Sequence, residues 1–281
     1  MSSGAVQLQQ LMESTPDRAM VLAVTSGKGG VGKTNISANL AICMAASRKK
    51  VVLVDADLGL GNLDVVMNLN SRFNLSHVIS GQKNIEEITL IGPAGVEVVC
   101  SGSGIEEMAN LTMFQRQRLV GELDKLQEAA DIMVIDTGAG IDAATVGFCL
   151  SADHTLVVTT PEPAAMTDAY AMIKVLAGRN YDGRISLIVN MANSLREGKN
   201  IYRQVADTAM RFLDTHVYEA GVLCKDEKLL AAVRSREPVV LMHPKSQISA
   251  SLIAMTARLA KGSAVNKNRE GFFQKVVNWF F

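Results

Sequence analysis

The run Gly27-Lys28-Gly29-Gly30-Val31-Gly32-Lys33-Thr34 restricts the possible folds more than any other part of the chain. It satisfies the spacing of a phosphate-binding loop, G-x-x-x-x-G-K-[ST]. Its surroundings fit as well. The apolar run Val21-Leu22-Ala23-Val24 precedes it, and a segment with helical spacing, about 33–47, follows. Glycines let the backbone turn sharply and bring N–H groups up to phosphate oxygens. A helix starting near Lys33 aims the positive end of its dipole at the same point. Backbone groups of Gly29, Gly30, Val31, Gly32 and Asn35 are therefore expected around a nucleotide. Lys33 should reach its outer phosphates, and the Thr34 hydroxyl should ligate Mg²⁺. Lys28 is a second lysine inside the loop. It would crowd Lys33 in a lone chain, but it makes sense if it reaches a nucleotide held by a second copy and stabilises transition-state charge there.

Short continuous apolar runs recur at 51–54, 96–99, 132–135, 156–158, 185–189 and, more weakly, 217–222. Continuous rather than alternating runs are those of strands buried on both faces, as in a parallel sheet. Helically spaced segments lie between them, at about 113–129, 163–178, 197–214 and 246–260. The alternation predicts an α/β fold, a doubly wound and mainly parallel sheet with helices on both faces. Two of the strands end in acids, Asp55-Ala56-Asp57 and Ile135-Asp136-Thr137-Gly138. Ligands bind at the carboxyl ends of parallel strands, so Asp57 and Asp136 become candidates to hold Mg²⁺, directly or through water.

The chain carries 28 acidic and 28 basic residues, a balance unlike the basic surplus of a dedicated nucleic-acid binder. Cys43, Cys100, Cys149 and Cys224 form no C-x-x-C pair, as expected of small buried residues in a reducing compartment. There is neither a secretory signal pattern nor an apolar run near the roughly 20 residues that span a bilayer, so a cytoplasmic protein is expected.

The loop with its extra lysine, Lys28 to Thr34, resembles the deviant Walker A motif of the MinD/ParA family of ATPases. Asp55 to Asp64 is similar to that family's switch I, and Asp136-Thr137-Gly138-Ala139-Gly140-Ile141 to its switch II. Within the family, likeness to the flagellar-number regulators FlhG/FleN is carried by Pro161-Glu162-Pro163 through Tyr170, by Val189-Asn190-Met191-Ala192 and by Arg211-Phe212-Leu213-Asp214. The resemblance runs from about residue 18 to 260. It implies a P-loop ATPase using ATP/ADP and Mg²⁺, with Lys28 acting across a homodimer and Asp57 positioning the attacking water. It also implies that Asp136 supports Mg²⁺, that Asn190 reads adenine, and that Asp168 and Asn62 lie near a dimer or partner surface. Relatives commonly have proline after the strand at Gly221-Val222-Leu223, where this chain has Cys224.

Residues 262–270 read as a linker. Beyond them, at about 100° per residue, Phe272, Phe273, Val276, Val277, Trp279, Phe280 and Phe281 fall on one arc of a helix, opposite Gln274, Lys275 and Asn278. A short aromatic amphipathic end of this kind is expected to lie in a membrane interface, and it resembles the targeting tail of MinD and FlhG. The same apolar face could dock on the protein's own surface, and a switch between the two sites is expected. The chain thus divides into an extension (1–18, flexible or a short helix), an ATPase domain (19–261), the linker and the tail helix (271–281). In the extension, Gln7-Leu8-Gln9-Gln10-Leu11-Met12 matches in part the Gln-x-x-x-Leu-Arg helix with which FlhG relatives stimulate the GTPase FlhF, but it lacks the arginine.

The resemblance implies a membrane-cycling ATPase, cytoplasmic and peripheral on the inner face of the cell membrane, including the cell pole, that controls flagellar number and placement. Its implied partners are FlhF, the flagellar transcription activator and C-ring proteins. Two other readings share the motifs: division-site selection of the MinD type, and ParA-type DNA partition. The neutral charge balance and the aromatic tail argue against the second.

Overall fold

The computed structural model describes residues 18–57, 61–100, 112–262 and 271–280, with the side chains of Arg116, Ala260, Lys261 and Phe280 left aside. The expected extension up to residue 17, part of switch I (58–60), most of the linker and Phe281 lie outside the described residues.

Eight strands form one sheet in the order β3-β4-β2-β5-β1-β6-β7-β8. They are β1 (Met20–Ser26), β2 (Val51–Ala56), β3 (Leu90–Ile91), β4 (Glu97–Val99), β5 (Ile132–Ala139), β6 (His154–Thr159), β7 (Arg184–Ala192) and β8 (Tyr218–Cys224). All neighbours pair in parallel except β3 with β4, a two-residue antiparallel edge that the apolar runs did not signal. The chain passes from β1 over the place later filled by β5 to reach β2, and after β5 it returns to the far side of β1. The strand order therefore reverses beside β1, and the phosphate loop leaves its carboxyl end at that switch point.

Twelve helices cover the sheet among the described residues: α1 (Lys33–Ala46), α2 (Leu63–Val66), α3 (Leu75–Ile79), α4 (Ile85–Ile88), α5 (Met113–Ala129), α6 (Ala143–Ser151), α7 (Pro163–Gly178), α8 (Leu195–Leu213), α9 (Glu227–Arg234), α10 (Val239–Met242), α11 (Gln247–Gly262) and α12 (Phe272–Phe280). Alternate residues of the central strands feed two separate cores. Val21, Ala23, Val52, Val54, Met133 and Ile135 face α5, α6, α7 and α8. Leu22, Val24, Leu53 and Val134 face α1, α10 and α11. A strand with water on neither side has no polar alternation, which is why the runs were continuous. No described helix is long and apolar enough to cross a membrane.

Helix α12 lies docked on the protein's own surface. Its apolar face lies in the first core, with Phe272, Phe273 and Val276 at 2–3 % exposure. Phe272 stacks on Phe148 of α6, with ring centroids 6.4 Å apart. Trp279 Nε1 donates to the Ala143 carbonyl at 2.8 Å, and the Arg179 guanidinium lies over its ring at 4.9 Å. A Cβ on Gly147 would come within 2.3 Å of Trp279 Cδ1, so only glycine leaves room for the docked indole. The nearly all-apolar α6 shows no helical periodicity because the sheet lies on one side of it and α12 on the other.

At the opposite end of the sheet from the loop, His154 is buried and its Nε2 lies 2.8 Å from Ser186 Oγ. Burial, reinforced by the Arg184 charge, pushes its pKa down to about 4 from 6.5. Between those two values the unfolded chain binds the extra proton and the folded chain does not. This contribution is complete above pH 6.5 and is lost as pH falls through the window, reaching about 3 kcal/mol. The urea midpoint should fall between pH 7 and pH 5, and His154→Gln should flatten that decline. An unchanged slope in the variant would mean other groups carry it.

Candidate functional site

The carboxyl ends of β1, β2, β5 and β7 converge on a cleft of about 560 Å³, within the usual size of small-molecule sites. One wall is the phosphate loop. Gly30 and Gly32 have φ of +77° and +91°, left-handed conformations that turn the loop's N–H groups inward. Gly32 also caps α1 without any side-chain hydrogen bond, and the first turn of α1 holds no acid. Its opening N–H groups are therefore left for an anion. Gly29, Gly30, Gly32, Lys33, Thr34 and Asn35 all line the cleft, whereas the Val31 side chain is buried in the core beneath.

Lys33 is buried at 8 % exposure. Burial lowers its pKa, and Asp136 and Asp57 oppose that shift by favouring its charged form. Asp136 lies deeper, at the floor. Ser37 Oγ donates to its Oδ1 at 2.8 Å, and burial pushes its carboxyl up to about 6 against the hydrogen bonds of Ser37 and Thr34 and the charge of Lys33. Asp57 lines the cleft, and a Cβ on Gly138 would stand 3.7 Å from its Oδ1, so the ends of β2 and β5 meet there. A hydroxyl and two carboxylates form an oxygen-only donor set of the kind Mg²⁺ takes. With triphosphate bound, this chain's groups would complete the ion's shell while Lys33 and the α1 N–H groups hold the phosphates.

Asp55, noted in the sequence only as part of the strand-end motif and given no role of its own, shapes this wall. Its carboxylate accepts from Asp57 N at 3.0 Å and from Leu63 N at 3.3 Å, and so fixes both ends of the 57–63 loop. Burial, followed by the charge of Asp136, pushes its pKa up to about 7. Asp55 and Asp136 are direct partners in the β2–β5 register, a burial that their sequence separation conceals.

Asn190 borders the cleft, but its amide is already engaged. Nδ2 donates to the Val31 carbonyl at 2.8 Å, and Oδ1 accepts from Met191 N at 2.9 Å, with Met191 itself at φ +56°. It braces the loop against β7, leaving one N–H and one lone pair for a base. The apolar wall beside it comes from Met191, Leu223, Leu229, Leu230, Val233, Ile248 and Leu252. Helix α9 supplies three of these; its spacing Leu229, Leu230, Val233 was the available signal. Cys224, where relatives carry proline, ends β8 half-buried, and Leu223 next to it faces the cleft. Asn62, exposed, lines the rim, and the Asp168 backbone packs against Gly27, where any Cβ would overlap it.

Lys28 does not enter the cleft. Its Nζ pairs with Glu162 Oε1 of the same chain at 2.5 Å, and its carbonyl accepts from Ser26 Oγ. Both partners are solvent-accessible, and such pairs contribute about 0–1 kcal/mol, a hold that a second copy's phosphate could displace. Lys28→Ala should therefore leave ATP affinity within about twofold while costing ATP-dependent dimerisation at least about tenfold. Sedimentation velocity with ATP would check it, and unchanged dimerisation would count against a role across the dimer.

A family model described as an AAA domain matches residues 19–181. The antiactivator FleN of Pseudomonas aeruginosa is 38% identical over 239 residues, 85% of either chain. The flagellum site-determining protein YlxH of Helicobacter pylori is 33% identical over 92% of this chain and 90% of its own. Among solved structures, the septum site-determining protein MinD of Pyrococcus horikoshii, complexed with Mg-ADP, superposes with a TM-score of 0.72 at 22% identity, covering 86% of this chain and 96% of that one. A loop with a second lysine, two acids at neighbouring strand ends and these likenesses together show that the chain belongs to the MinD/ParA family of deviant Walker A ATPases, of the type represented by FleN and FlhG.

Proposed function

We propose that this protein is an ATP-dependent, membrane-cycling dimer that regulates flagellar number and placement. Hydrolysis serves as a timer rather than to make a product. ATP favours the dimer, with Lys28 reaching the partner's nucleotide and Asp57 positioning water. The dimer exposes two tails to the inner face of the cell membrane, including the pole, and hydrolysis returns a cytoplasmic monomer with its tail docked. Asn190 and the apolar wall hold adenine, and Mg²⁺ sits among Thr34, Asp57 and Asp136. Phe272, Phe273, Val276, Val277, Trp279, Phe280 and Phe281 form the membrane face. FlhF, a flagellar transcription activator and C-ring proteins are the partners in this scheme.

The observation that carries the reading is the 38% identity to FleN over 85% of both chains. The docked tail supports the cycle. Burying each Phe or Val is worth about 1.5–3 kcal/mol, enough to retain the tail in solution yet small enough for a bilayer to compete. Two tails acting together raise avidity without new contacts. The test is a deletion strain complemented with the full chain or with residues 1–268. Loss of the gene should change the number of flagella per cell, and the truncated chain should fail to restore it. Minicells with normal flagellation would instead favour division-site selection.

A further inference from the structure

Helix α12 is anchored at its root by one residue that also holds the start of the sheet. The Gln127 carbonyl, near the end of α5, accepts from Ala19 N at 3.0 Å, just before β1. The same residue's Oε1 accepts from Phe272 N at 3.1 Å, at the first turn of α12. Gln127 is 5 % exposed, so each bond is made away from water. The segment leading into β1 and the root of the tail, far apart in sequence, meet on this one residue, the first at its main-chain carbonyl and the second at its side chain.

Beside Gln127 the joint is incomplete. Among the described residues, the Arg18 Nη1 and Asp124 Oδ1 atoms are both buried without a hydrogen-bond partner. They flank Gly271, whose added Cβ would lie 2.7 Å from the first and 3.1 Å from the second. Burial raises the Asp124 pKa, and the Arg18 charge only partly opposes this. Two orphaned polar atoms beneath the tail's first residue weaken its docking, because undocking returns both to water. The apolar grip of Phe272, Phe273 and Val276 is thus set against a polar floor whose opposite charges attract but make no hydrogen bond at these two atoms.

We propose that Gln127, Arg18, Asp124 and Gly271 form a release latch for the tail: Gln127 holds α12 closed and the unsatisfied Arg18–Asp124 floor biases it open. The latch itself concerns docking in solution; only its consequence at a bilayer rests on the membrane-cycling reading.

Trp279 is the chain's one tryptophan, so its fluorescence reports α12 directly and without lipid. Acrylamide quenching of the nucleotide-free full chain should show a roughly five- to tenfold rise in the undocked fraction for Gln127→Ala and again for Gly271→Ala. The double variant Arg18→Met/Asp124→Leu, which removes the polar floor, should shift quenching the opposite way. None of these residues touches the nucleotide cleft, so ATP turnover and the thermal midpoint of the core serve as folding controls. If Gln127→Ala and Gly271→Ala, with cores intact, both quench like the parent, the latch is refuted. It is equally refuted if the double variant opens the tail. Sedimentation with phosphatidylglycerol/phosphatidylethanolamine vesicles forms the second arm. Variants that expose Trp279 but do not sediment more would uphold the latch and overturn the membrane reading.

Discussion

Lys33→Ala should abolish nucleotide binding, with ATP affinity falling by at least about 100-fold in calorimetric titration with Mg²⁺. The buried ammonium does two things. It supplies the only described cation lining the cleft floor between the loop and the two acids, and it offsets the charges of Asp136 and Asp57 that face the incoming phosphates. Without it, the α1 N–H groups would still point at the ligand, but a triphosphate would meet two acids with no countercharge. Asp136, already pushed up to about 6, should then titrate higher still. A variant that keeps wild-type affinity would show that the phosphates do not sit on this loop, and the whole assignment of the cleft would fall.

Asp57→Ala should separate binding from turnover. The carboxylate lines the cleft at the end of β2, beyond the contacts by which Asp55 fixes the loop, so its removal leaves the loop's anchor in place. ATP affinity should change by no more than a few-fold, while hydrolysis should drop about 10²- to 10⁴-fold, as for loss of a positioned proton acceptor. The protein should then accumulate as an ATP dimer and remain with vesicles, whereas the parent chain is released as ATP is spent. Phosphate release and vesicle sedimentation, followed together over time, decide this. Hydrolysis at the parental rate would remove Asp57 from the mechanism.

Much of this was legible in the chain because it is local or periodic. The loop, its lysines and the helix behind it are contiguous. Strands buried on both faces announce themselves as continuous apolar runs, and acids at strand ends mark the carboxyl edge of a parallel sheet. The elements that escaped were those whose signal depends on what covers them. Helix α6 lacks a polar face because α12 packs over it. Strand β3 is too short to carry a pattern, and α9 offers only one and a half turns of spacing before it becomes a wall of the cleft.

The amphipathic arc of the tail was equally plain, yet an apolar face does not say what it faces. Hydrophobic burial is non-directional, and a bilayer and a groove on the same protein satisfy it alike. The choice made in this structure depends on Gly147 leaving room for Trp279, on Phe148 meeting Phe272 and on Gln127 receiving Phe272 N, contacts among residues more than 100 positions apart. The same holds at the nucleotide cleft. Sequence alone determined that a phosphate loop opens a doubly wound sheet and that acids stand at its edge. Only the tertiary structure decided that Asp55 lies beside Asp136, that Asn190 braces the loop and that Lys28 rests on Glu162. Spacing along a chain fixes local geometry, whereas the pairing of distant polar groups is set by strand order and by the exclusion of water between them.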